Sequence, residues 1–316
     1  MQLKHIIIPI ASLVMASACS KKLAVTSPDG LTVSVMNQKS SVGDTLYYNL
    51  GDTVRFMITG NADNIIFYSG ELTHNYLYAN RTGAAGIPQM SFTSNAQYGT
   101  QTNTLQVLAT DKLTKVDSAH IVTASWTDIT SRASLSTGAG AVASGTINLS
   151  DLVTGPADSL FLAFKYNGVT GSTQKTWTIT GLTVNNVLAD STPAPLLNLT
   201  TDATWWTRFN IYPPAANWVP STTQLSVTGG SATAPTNTAW IVSRPIYVNQ
   251  VNPDLPVVIK QLASTIPVYT AAGVSYAGYN YVYAAKRGLY MATFVYFNTS
   301  IDEQKTLVKK FYIRIN

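Results

Sequence analysis

Apolar and polar residues alternate along this chain with a period of two, in short runs broken by Gly, Asn, Pro and Asp. Such alternation puts every second side chain on one face, as in a half-buried β-strand. Leu31, Val33 and Val35 alternate with Thr32 and Ser34, and Val54, Phe56 and Ile58 with Thr53, Arg55 and Met57. Leu160, Leu162, Phe164 and Tyr166 share a face, as do Trp177 and Ile179, and Leu225 and Val227 near Gly229-Gly230. Leu289, Met291, Thr293, Val295 and Phe297 form one face of a late strand, and Phe311, Ile313 and Ile315 lie opposite Tyr312 and Arg314. No long stretch carries the helical period; residues 196–206 and 258–264 have room for a helical turn at most. Many short strands separated by turns predict an all-β chain of sandwiches or jelly rolls.

The tryptophans divide the chain. All six lie between Trp126 and Trp240. The Trp-free flanks are incomplete alone, with roughly four strands before and three after, where an immunoglobulin-like sandwich needs about seven. The economical arrangement is one discontinuous Ig-like sandwich, residues 30–110 plus 265–316, around an inserted jelly-roll-like domain, residues 111–264. Insertion at a loop tip makes this physically ordinary. The rival arrangement is three small domains in a row.

The N-terminus has a different character. Lys4 precedes an apolar run from Ile6 to Met15, too short to span a bilayer and of signal-peptide length. Ala16-Ser17-Ala18-Cys19 follows and resembles the lipobox of bacterial lipoproteins. The resemblance implies cleavage after residue 18, diacylglycerol on the Cys19 thiol and acylation of the new amine. It makes residues 1–18 a signal peptide and 19–29 a lipid-anchored linker, held on a membrane by several acyl chains. The alternative is an ordinary secretory signal with an incidental cysteine. Cys19 is the only cysteine of the chain, which favours the anchor and leaves no disulfide to stabilise the fold. Ser20-Lys21-Lys22 follows with no acidic run, so the membrane face, periplasmic or exterior, stays open.

Composition narrows the chemistry. Charged residues are 11% and apolar residues 46%, enough to build a core and too apolar for disorder. The net charge of +5 comes from scarce acids and not from a basic cluster, so nucleic acid is not an expected partner. Beyond the signal only His74 and His120 remain, neither with a second ligand at metal spacing. No Gly-x-Ser-x-Gly elbow, P-loop or dinucleotide fingerprint occurs. A glycosidase needs two carboxylates flanking one bond. Asp44, Asp52, Asp158, Asp190 and Asp254 sit beside turn residues, where Asp caps the backbone. Glu71 follows a strand, and Asp128 and Asp151 lie in the inserted region. Asp128, between Trp126 and Thr130, either orders a loop or helps hold a structural calcium ion; no other cofactor is expected.

Two segments resemble a known pattern. Val42-Gly43-Asp44, Gly51 to Phe56 and Asn64 to Glu71 are similar to the opening strands of a polycystic-kidney-disease-type (PKD-like) sandwich, and Gly288 to Val295 with Asn298 to its closing hairpin. Between them, Ala124 to Arg132, Ser144-Gly145, Leu160 to Tyr166 and Trp177-Thr178-Ile179 resemble the central part of a Bacteroidota lipoprotein family that carries the domain of unknown function 5017. That resemblance implies an exported outer-membrane lipoprotein, often encoded near polysaccharide-uptake systems with SusC/SusD-like partners. It implies no reaction. The central part also resembles galactose-binding-like jelly rolls.

Carbohydrate binding has the better raw material. An exposed indole or phenol covers the C–H face of a sugar while Asn, Asp, Gln and Arg bond its hydroxyls. Trp205-Trp206-Thr207-Arg208 puts one of two adjacent indoles on each side of a strand. Trp218 sits in a proline-bounded loop, and Tyr279 belongs to a group with Tyr276, Tyr281 and Tyr283. Trp126, Trp177 and Trp240 lie in apolar alternating runs and read as core. The candidate ligand contacts are therefore Trp205, Trp206, Arg208, Trp218 and Tyr279. The expected function is a non-catalytic envelope lipoprotein that binds glycan and assists polysaccharide capture or uptake. The alternatives are a structural or adhesive protein-interaction module and a carbohydrate-active enzyme with a carboxylate pair.

Overall fold

The computed structural model describes residues 24–154, 159–212 and 216–316. The signal segment, Cys19, Asp158 and Pro213-Pro214 lie outside the described residues. The chain is all-β, and its strands fall into two compact units: 77–254, and the two flanking segments through Tyr76 and from Leu255. Among the described residues no helix is long and apolar enough to cross a membrane.

The outer unit is a sandwich made from both flanks. One sheet runs in the order Thr32–Met36, Thr53–Thr59, Val274–Val282, Val268–Ala271. The other runs Val257–Lys260, Asn64–Tyr68, Gly288–Thr299, Gln304–Ile315, Thr45–Tyr48, Ser40–Val42. Early and late strands interleave in both. Thr53–Thr59 holds Val274–Val282 antiparallel, and Gln304–Ile315 pairs parallel with Thr45–Tyr48. Phe56 from the first sheet meets Phe67 and Phe294 from the second, with ring centroids 5.5, 4.9 and 4.8 Å apart around the triangle. Tilted and edge-on rings at these separations are favourable beyond the area they bury.

The inner unit has its own two sheets. The first centres on the long pair Gly86–Gln97 and Thr176–Leu188, flanked by Gln224–Val227 and Trp218–Pro220. The second runs Trp206–Tyr212, Asn237–Ser243, Ser159–Gly168, Leu105–Thr110, Thr127–Asp128. Leu160, Leu162, Phe164 and Tyr166 face Trp177, Ile179, Leu225 and Val227 in one core, as their alternation predicts. The entry and exit of this unit are bonded to each other. Ala84 N–H donates to Asn249 O at 2.8 Å, and Arg81 Nη2 reaches the buried Asp254 carboxylate at 2.8 Å. Asp254, which reads as a turn acid in sequence, is thus half of a largely buried ion pair.

Three features differ from the sequence reading. The unit boundaries fall at 76/77 and 254/255, not at 110/111 and 264/265, because Gly86–Gln97 and Leu105–Thr110 pair with strands of the inner unit. In Gly288–Thr299 the set reaching the outer core is Ala292, Phe294 and Tyr296, the opposite face from that of Leu289 and Met291. Thr293 and Val295 are buried as well, so the middle of this strand is covered on both sides. A short helix, Ser118–Thr123, appears where none is predicted; Asp117 caps it by accepting from His120 N–H.

The inner unit closes its sheets and core among its own residues. Residues 77–254 expressed alone are expected to fold, with structured near-ultraviolet circular dichroism and a cooperative thermal transition. A molten product would show that this unit depends on the flanks.

Candidate functional site

Among the aromatic sequence candidates, Trp205 lines a cleft. The short helix Leu199–Asp202 and the 3-10 turn Ala203–Trp205 follow the strand Pro193–Asn198. Asn198 caps the helix, accepting from Thr200 N–H at 3.0 Å, while Asp202 Oδ2 accepts from Asn198 N–H at 2.8 Å. Arg244 N–H donates to Trp205 O at 2.8 Å and fixes the far end of the turn. The half-buried Trp205 rests on the inner core and lines a cleft of about 270 Å³ with Asn198, Asp202, Gln250, Val251 and Asn252. An aromatic wall beside two Asn, one Gln and one Asp is chemistry for a polyhydroxylated ligand with an apolar face. Sequence reasoning missed Asn198, Asp202, Gln250 and Asn252. The first two were visible as a capping pattern, but nothing local announced the second pair.

The other candidates lie elsewhere. Trp206 does point opposite to Trp205, and that direction is inward: it is 5% exposed, with its ring 6.0 Å from Phe164. Trp218 is completely buried, its indole N–H donating to Ala239 O at 3.2 Å. It is the first residue of a strand paired with Gln224–Val227, and pairing turns it into the core despite its flanking prolines. Neither ring can present a face to a ligand here. Arg208 is exposed and reaches Trp218 O at 3.4 Å, but it does not line the Trp205 cleft. Tyr279 belongs to the outer unit, half-buried with its ring 5.1 Å from Phe67. Tyr276 and Tyr283 are buried. Trp177 and Trp240 are core residues, and the half-buried Trp126 packs 5.6 Å from Trp240.

Asp128 orders a loop. Oδ1 accepts from Thr130 N–H at 2.9 Å and Oδ2 from Gln106 Nε2 at 3.0 Å. Burial pushes its pKa up, but the Thr130 and Gln106 bonds and the Lys165 charge outweigh burial and hold the carboxyl below its usual range. Among the described residues no group of three or more His, Cys, Asp or Glu gathers in a metal-binding arrangement. Asp151 forms a two-pronged pair with Arg132 at 2.7 and 2.8 Å.

Glu71, His74, Lys286 and Tyr290 line a second cleft, of about 380 Å³, in the outer unit. The turn before it needs Gly70, whose φ of +83° leaves a side chain no room against the Met291 backbone. Thr73 sits at φ 64°, an unfavourable conformation for a β-branched residue. Glu71 accepts a hydrogen bond from the Tyr281 hydroxyl, and His74 Nδ1 lies 2.6 Å from Leu255 O. Glu71 is the one carboxylate among the described residues lining this cleft, and a two-carboxylate hydrolysis needs a second. Burial, and after it the Glu71 bond, pushes the Tyr281 hydroxyl up to about 12.

Compared with known proteins, the chain matches the family model of a domain of unknown function (DUF5017) over residues 18–205, more than half its length. No curated protein and no solved structure matches it.

Tyr281 makes outer-unit stability sensitive to alkali. Its proton is held to about pH 12 when folded and is released near pH 10 when unfolded. Between those values the folded form binds more protons, so stability is full below the lower value and falls as pH rises through the window. Urea midpoints should decline from pH 10 to 12, less steeply in Tyr281→Phe; an unchanged slope would remove Tyr281 as a contributor.

Proposed function

The chain belongs to the DUF5017 family, and on that premise we propose that it is a non-catalytic cell-envelope lipoprotein that binds a glycan at the Trp205 cleft. The supporting observation is the cleft's make-up: one indole face at the surface of the inner unit, with Asn198, Asp202, Gln250 and Asn252 around it. A pyranose stacks its C–H face on Trp205, and these side chains exchange hydrogen bonds with its hydroxyls. The lining offers binding groups without a paired acid and base, which favours capture over cleavage. We read the outer sandwich as PKD-like and the inner one as a galactose-binding-like jelly roll.

The family resemblance supports the rest of the reading. The lipobox-like Ala16-Ser17-Ala18-Cys19 gives a lipid anchor, placing the protein on the outer membrane of a Bacteroidota-type envelope. There it assists a SusC/SusD-like complex in polysaccharide uptake. Its low charge leaves the surface rich in Thr, Ser and Asn, compatible with hydroxyl-rich ligands.

Native affinity electrophoresis on neutral polysaccharides tests the binding. Retardation is expected on at least one of galactan, arabinan, xylan, mannan and β-glucan. Trp205→Ala should weaken it about tenfold or more, since a stacked aromatic anchor carries a large share of such binding. Trp218→Ala acts differently, destabilising the fold by about 3–5 kcal/mol through a core cavity. No retardation on any polymer defeats the reading. For the anchor, Cys19→Ala should move the protein from the membrane fraction to the soluble one; retention on the membrane would refute lipidation at Cys19.

A further inference from the structure

Lys175 is a cation at a core-facing position. The period of two places it in register with Trp177 and Ile179, and it is 9% exposed. An ammonium group has three donors. This one makes a single hydrogen bond among the described residues, 2.6 Å to Thr137 O, and no carboxylate lies within 4.0 Å of it. The other buried lysine, Lys260, is better supplied, with Ala62 O at 2.6 Å and Asp63 O at 3.2 Å. Lys175 therefore has two N–H donors without a protein acceptor among the described residues, and an anion can take them.

Lys175 also lines two clefts of the inner unit, of about 550 and about 250 Å³. The larger holds Tyr98, which is 74% exposed, with Thr100, Thr137 and Thr173. The smaller runs along Gln101, Asn103 and Trp177. Their walls are fixed by hydrogen bonds. Trp177 Nε1 donates to Thr104 Oγ1 at 2.8 Å, Gln101 Nε2 to Ser172 O at 3.0 Å, and Asn95 Nδ2 to Ala139 O at 3.1 Å. Tyr98 and Asn103 both have positive φ, 56° and 57°. Asn enters this region readily, but for Tyr98 it is disfavoured backbone that surrounding structure must enforce, and such strain gathers at ligand sites.

We propose that the Lys175 clefts bind the acidic group of an anionic saccharide. The two open N–H donors of Lys175 take carboxylate or sulfate oxygens. The Tyr98 ring covers the C–H face of the same residue or its neighbour, and the threonine hydroxyls meet the sugar's own. None of these residues lines the Trp205 cleft, so the proposal stands independently of that reading.

The test is native affinity electrophoresis of the full protein at physiological salt against four polymers. Polygalacturonate carries carboxylates, κ-carrageenan carries sulfates, dextran is neutral, and polyglutamate is acidic without sugar rings. Retardation by polygalacturonate or κ-carrageenan, and not by the two controls, is expected; which one retards identifies the acidic group. Lys175→Met should weaken it at least tenfold. Tyr98→Ala should weaken it several-fold, and Tyr98→Phe should retain it. If Lys175→Met fails to fold by circular dichroism, the Tyr98 pair decides, because that side chain lies at the surface. Indifference to both acidic polysaccharides, equal retardation by either control, or wild-type binding in every folded Lys175 and Tyr98 variant would overturn the proposal.

Discussion

The outer sandwich depends on strands from opposite ends of the sequence pairing with each other. Val274–Val282 lies on Thr53–Thr59, Gly288–Thr299 on Asn64–Tyr68, and Gln304–Ile315 on Thr45–Tyr48. Neither flank could bury its apolar face alone. The Phe56, Phe67 and Phe294 contact gathers strands from both flanks into one core. Closing so long a loop costs less than its length suggests, because closure entropy grows only logarithmically. The inserted residues also shorten the effective loop by folding on themselves, with Arg81 and Asp254 drawing their own ends together. This topology lets one sandwich be completed from both sides of a long insertion without a disulfide.

Within the inner unit the candidate sites follow from how backbone ends are satisfied. The Trp205 cleft exists because the chain leaves Pro193–Asn198 through a capped helical turn before resuming as a strand. Asn198 and Asp202 serve that cap and border the cleft together, so binding groups are held by bonds the fold already needs. At the other clefts Trp177 has a double role. Its indole N–H anchors the Thr104 loop while its ring closes the core beside Lys175. Such shared use keeps a small polar site rigid without dedicated scaffolding.

The strands were legible because alternation is a local property. Phe164, Trp177, Ile179 and Val227 all point where their period sends them. Partners were not legible: nothing in Gly86–Gln97 says that it pairs with Thr176–Leu188 and not with a flanking strand. The face of Gly288–Thr299 was misleading because its middle is apolar and buried on both sides, leaving alternation nothing to distinguish. The helix Ser118–Thr123 is too short to display a 3.6-residue period, so alternation and period alone do not reveal it. For the sites, tryptophan content indicated the right unit but not the right ring. Trp205 and Trp218 have equal chemical capacity, and a few residues of strand pairing at Trp218–Pro220 put one at a surface cleft and the other in the core. Lys175 was the clearest unread signal, a charge in step with Trp177 and Ile179.

The confinement of all six tryptophans to the inner unit has a spectroscopic consequence. The aromatic rings of the outer core are phenylalanine and tyrosine, with Tyr48, Tyr283 and Tyr296 deep inside. Light absorbed only by indole therefore reads one unit and is blind to the other. An emission spectrum that stays constant through a denaturant series can accompany complete loss of the outer sandwich. Tyrosine absorbance, or infrared bands of the sheet amides, must follow that half of the molecule.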